Sequence, residues 1–100
     1  MVRHIVWWTL KEEVDGVSAQ ENAEKMKEML EALMGRIEGL QHIEVGYKIL
    51  TDDPKVDVIL CSEHDDAEAL AHYATHPEHL ACVEFVKTVV SSRQAIDYEI

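Results

Sequence analysis

Basic residues are scarce in this chain. Nine lysines and arginines stand against twenty acidic residues, and the formal net charge is −11. Such a chain repels phosphate backbones and anionic lipid surfaces at long range, so neither nucleic acid nor a membrane surface is expected as a partner. Cysteine is almost missing. Cys61 and Cys82 sit singly in apolar segments, without metal-ligand spacing or a disulfide framework, and they read as reduced, buried thiols of a cytoplasmic protein. No apolar run approaches the roughly 18 residues that a membrane-spanning helix needs. The opening Met1-Val2-Arg3-His4-Ile5 runs directly into strand-like sequence, so no export signal is expected either. Glycine-rich phosphate loops, a nucleophile elbow and a Cys-His pair are likewise lacking.

Against these absences, 47% of the 100 residues are apolar and they are spread along the whole length. That is the profile of one packed domain, residues 1–100, with a single core. Val2 to Leu10 is rich in β-branched and aromatic residues and reads as a strand. Ser18 followed by Glu21 has the form of a capping box, and Ala23, Met26, Leu30, Leu33 and Ile37 recur at helical spacing. A helix is expected from Ser18 to Gly35 or Glu38, where Gly35 and Gly39 are both available to end it.

Strands follow at His42 to Leu50 and Val56 to Glu63, joined through the turn Thr51-Asp52-Asp53-Pro54-Lys55 as a hairpin. Asp65, with Glu68 three residues on, opens a second helix that is broken at His76-Pro77. His76 then caps a helix from Pro77 to about Ser91, with Leu80, Val83, Val86 and Val90 on its buried face. Ala95 to Ile100 closes the chain as a short strand.

The order β-α-β-β-α-β is the split βαβ arrangement of the ferredoxin-like fold, an α+β architecture with helices on one face of a four-stranded antiparallel sheet. The other face cannot simply be wet. On the first strand Val2, His4, Val6, Trp8 and Leu10 lie on one side, and Arg3, Ile5, Trp7 and Thr9 on the other. Either side exposes large apolar groups, and the same holds for Val58 and Leu60 against Ile59 and Cys61. A second copy of the same sheet is the simplest cover, so a homodimer is expected.

Three segments carry a family resemblance: Val2-Arg3-His4-Ile5-Val6, Tyr73-Ala74-Thr75-His76-Pro77-Glu78-His79 and Ile96-Asp97-Tyr98-Glu99. In that order, over the whole chain, they resemble the stress-responsive A/B barrel (Dabb) domain family. The resemblance implies a ferredoxin-like subunit and a dimeric α+β barrel. One plant branch of that family comprises polyketide cyclases, which close a linear polyketide by an aldol-type condensation. Carried over by position, that branch implies Tyr73 and His79 as the catalytic pair and His4 as a pocket residue. A cyclising condensation needs a base for a proton beside a carbonyl and a donor for the oxyanion, and an imidazole with a phenol meets both needs.

His76 and Trp8 are expected beside His4 in the ligand pocket. Trp7-Trp8 is a departure from the plant enzymes, and whichever ring faces inward stands to plug the cavity. Two functions therefore follow: a dimeric module binding a small hydrophobic or polyketide-like ligand, or a cyclase or isomerase using His79 as base and Tyr73 as donor. A cofactor-free monooxygenase or haem-degrading activity of related dimeric barrels ranks third, since those lack the His-Pro-x-His segment. No cofactor is expected. His72, His76 and His79 fall at helical spacing, but Pro77 breaks the register a zinc face would need, so no metal is expected there.

Overall fold

The computed structural model describes all residues, 1–100. In chain order the elements are β1 (Val2–Leu10), β2 (Glu13–Val14), β3 (Val17–Ser18), α1 (Ala19–Glu31), β4 (Leu40–Gly46), β5 (Val58–His64), α2 (Ala67–Thr75), α3 (Pro77–Val89) and β6 (Val90–Glu99). β1 lies inside the main sheet, whose order is β4-β5-β1-β6 with every neighbouring pair antiparallel. The helical connections make this the ferredoxin-like α+β arrangement. β2 and β3 add a tight hairpin turned by Asp15 and Gly16, both at positive φ, and the Asp-Gly pair is its signal in the sequence.

The helices cover the sheet face that carries Val6, Trp8 and Leu10 of β1 with Val58 and Leu60 of β5. Opposite them stand Met26 and Leu30 of α1, Tyr73 of α2, and Cys82, Val86 and Val89 of α3. Met26 and Leu60 are fully enclosed, and each such side chain contributes roughly 1.5–3 kcal/mol on burial.

Several boundaries differ from the expectations, each for a local reason. The helix α1 stops at Glu31, where the backbone passes into tighter turns ahead of Gly35 at positive φ, and the Glu31 carboxylate accepts from the Val45 backbone N–H (2.9 Å) and from Lys27 (2.8 Å). The next residues form tighter i→i+3 turns that still bury Leu33 and Ile37. The strand β4 begins at Leu40 with a bulge before His42 and leaves the sheet after Gly46, so Leu50 is fully in solvent. Its partner β5 runs on to His64 rather than ending at Glu63.

The cap of α2 is Asp66, whose carboxylate accepts from the Ala69 N–H at 2.8 Å; Asp65 instead accepts from the Gln41 amide. On α3 the buried stripe is Cys82, Val86 and Val89, while Leu80 and Val83 are exposed. β6 starts at Val90, directly after the helix, because it pairs with the full length of β1. Backbone pairing there overrides a side-chain pattern that shows no alternation.

The uncovered face of the sheet is apolar at its centre. Ile5 lies between Cys61 and Ile96 in the strand register, and Trp7 lies between Ile59 and Gln94. Ile59, Ile96 and Tyr98 are all exposed, and Cys61 is half-buried rather than enclosed. Arg3 closes one end of the patch, donating to the Tyr98 hydroxyl (2.7 Å) and to Glu63 (3.3 Å).

Gly39 locks the start of α2 against the turn before β4. It has φ +90°, and a Cβ there would lie 2.7 Å from the Ala69 Cβ. Gly39→Ala combines left-handed strain with this overlap, and chemical denaturation is expected to show a loss of roughly 1–3 kcal/mol. An unchanged midpoint would mean that α2 moves freely away.

Candidate functional site

Tyr73 is the hub of an aromatic cluster built from four elements. It lies in the last turn of α2, almost completely buried, with its ring centroid 4.3 Å from His79, 4.8 Å from His64 and 6.3 Å from His4. The chain break at Pro77 makes this possible: His76 takes extended backbone, α2 ends, and α3 starts in a new direction that brings His79 back over Tyr73. Burial pushes the Tyr73 phenol well above its ordinary range, so it stays protonated and can act as a donor.

His79 is held as a neutral ring with one nitrogen left unprotonated. Its Nδ1 lies 3.2 Å from the Ala74 carbonyl, which can only accept, so Nδ1 carries the proton and Nε2 of the neutral ring keeps its lone pair. Burial lowers its pKa; the Ala74 contact opposes that, and His4, Arg93 and His76 add to the lowering. His4 is fixed by a different partner. Its Nδ1 bonds Asp97, its direct cross-strand neighbour on β6.

These groups border a cavity of about 400 Å³ between the sheet and α3. His4, Tyr73 and His79 are among its polar lining residues, and Val6, Leu60 and Val86 are among its apolar walls. Trp8 is a wall as well and leaves the space open, while Trp7 points to the opposite face. The volume falls within the range of small-molecule sites.

The structure does not bring His76 to this cavity. Its Nδ1 accepts from the Glu78 N–H at 3.1 Å, capping α3, and its ring faces His72 at 5.6 Å. A side chain spent on an orphan helix N–H is turned away from the interior. His72, His76 and His79 do not share a face, since His79 turns to Tyr73.

Two members of the cluster were not anticipated from the sequence. Asp97 is found only through its register with His4. His64 is fully buried, with Nε2 2.9 Å from the Ser62 hydroxyl and Nδ1 without a partner. Extending the alternation of Val58, Leu60 and Ser62 by one step would have placed it inward; the polar run Glu63-His64-Asp65-Asp66 reads instead as a strand end.

Comparison with known proteins agrees with this architecture. The family model for the stress-responsive A/B barrel domain matches residues 2–100. An uncharacterized protein of Streptomyces coelicolor is 36% identical over 104 residues, covering 99% of both chains. A crystal structure of a dimeric protein of unknown function with a ferredoxin-like fold from Bacteroides fragilis is 33% identical, with TM-score 0.86 over 99% of this chain and 95% of that one. The hydroxynitrile lyase of Passiflora edulis superposes with TM-score 0.82 over 99% of this chain and 92% of its own, at 14% identity, a likeness of fold alone.

His64 sets an acid limit on stability. Burial holds its pKa at about 4 against an ordinary value of 6.5, so between those values the unfolded chain binds a proton that the folded chain does not. Stability therefore falls as pH drops through this window, by roughly 2 kcal/mol between pH 7 and 4.5 from this group. Urea unfolding at the two pH values should show the loss in the wild type and a much smaller one in His64→Phe; parallel losses would assign the titration elsewhere.

Proposed function

The chain belongs to the stress-responsive A/B barrel domain family, and from that premise we propose that it is a homodimeric enzyme of proton-transfer chemistry acting on a small apolar carbonyl compound. The observation that carries this reading is the convergence of His79 and Tyr73 on one open cavity. His79 Nε2 takes a proton from the carbon beside a carbonyl. The Tyr73 hydroxyl donates to the enolate oxygen as charge develops there. The carbanion then attacks a second carbonyl of the same molecule, whose oxygen takes back the proton from the His79 imidazolium, an aldol-type cyclisation of a polyketide-like chain, or it is reprotonated by His79 at another carbon as in an isomerase. His4, oriented by Asp97, and Trp8 hold the ligand in place.

The dimer is supported by the apolar centre of the uncovered sheet face, and by the Bacteroides fragilis relative, which is itself dimeric. Two such faces packed together would bury Ile59, Ile96 and Trp7. Sedimentation is expected to give a dimer for the wild type at micromolar concentration and a monomer for Ile96→Glu. A stable wild-type monomer would remove the dimer from this reading.

The chemistry is tested by deuterium exchange beside the carbonyl of small β-diketones and β-keto esters in D₂O, followed by NMR. Exchange above the buffer rate is expected, reduced about 10²–10⁴-fold in His79→Ala and about 10²–10³-fold in Tyr73→Phe. Probes that bind without catalysed exchange would leave a binding module, and rates unaffected by either substitution would overturn the assignment.

A further inference from the structure

The cavity's charge is opposite to that of the protein. The chain carries an excess of eleven negative charges, yet the residues that line the cavity include Lys87 and Arg93 and no carboxylate. The two cations differ in their availability. Lys87 is occupied, its ammonium 3.0 Å from Glu84 on the solvent side of α3. Arg93 is free. Of the three arginines, Arg3 pairs with Glu63 and Arg36 with Glu78, whereas Arg93 makes no ion pair.

The strand register explains where Arg93 points. It is the cross-strand partner of Trp8, whose ring is on the helix-covered face, so its guanidinium is delivered to the same side of the sheet. It lies close enough to His79 for its charge to act on that ring. Ser91 and Ser92 also border this rim, but both of their hydroxyls are bonded to Thr9, on the other face of the sheet, which leaves Arg93 as the rim's unengaged polar group. The cavity therefore has three regions: an apolar body, the His4-Tyr73-His79 group, and a cationic rim on β6.

We infer that the ligand of this cavity is an amphiphilic acid, an apolar body ending in a carboxylate that pairs with Arg93 at the rim. An arginine presents a planar pair of donors that fits a carboxylate on two oxygens, and the absence of a competing acid in the lining leaves that pair for the ligand. This rests on the proposed function in taking the cavity as the ligand site, and it adds the class of ligand. With the carboxylate anchored on β6, the rest of the molecule extends along Trp8 and Leu60 toward His79. The anchor positions the substrate and takes no part in the proton transfer.

The test uses three probes of equal length, octanoate, octanol and octylammonium, titrated calorimetrically into the intact protein at pH 8, with tryptophan fluorescence reporting contact at Trp8. Octanoate is expected to bind at least tenfold more tightly than octanol. That preference should vanish in Arg93→Gln and be partly restored in Arg93→Lys, with octanol affinity held within about twofold throughout. Equal binding of octanoate and octanol would overturn the anionic anchor while leaving the cavity as a ligand site. A preference for octylammonium would overturn the anchor outright, and binding of none of the three would remove the cavity reading together with it.

Discussion

The register of β1 between β5 and β6 is the constraint on which both faces of this protein depend. Side chains alternate across a strand, so one register sends Val6 and Trp8 into the core together with His4 toward the cavity, and sends Ile5 and Trp7 to the opposite surface. A slip by one residue would exchange the two sets and remove His4 from Asp97 and Tyr73 at once. Pairing on both sides holds that register: Val6 is fixed against Leu60 on one side and Ala95 on the other.

The second determinant is a single interruption. His76 and Pro77 divide what would be one helix into α2 and α3, and the change of direction lets Tyr73 and His79, six positions apart, meet ring against ring at a tilt of 41°. On an unbroken helix two residues so spaced would project from different faces. His76 thus shapes the site from outside it, by satisfying the first turn of α3. Cap and corner are one residue, and the approach of Tyr73 to His79 rests on it.

Much of the fold was legible because it is written in periodicity. The strand at Val2 to Leu10, the Ser18 cap, the hairpin of β4 and β5 and the break at Pro77 each follow from a local signal that nothing distant overrides. What escaped depends on partners far along the chain. The Glu31 carboxylate that ties the end of α1 to the sheet finds its partner at Val45, fourteen residues on, and the length of β6 is set by β1 at the other end of the sequence. In the site, Tyr73, His79 and His4 were marked by a motif. His64, Asp97 and Arg93 had only their register to announce them, and register becomes visible once the strands are paired.

β6 leads directly out of α3 and carries Arg93 and Asp97, yet past Val90 none of its residues is buried within the subunit. Arg93, at one of its inward positions, lines the cavity without adding to the core, and Asp97, at another, reaches it through His4. Replacements at residues 93, 95 and 97 therefore incur little folding penalty, and this rim can diverge among relatives while the scaffold beneath stays the same. Under the proposed reading, ligand preference would be free to drift along one strand, decoupled from the residues that keep the chain folded.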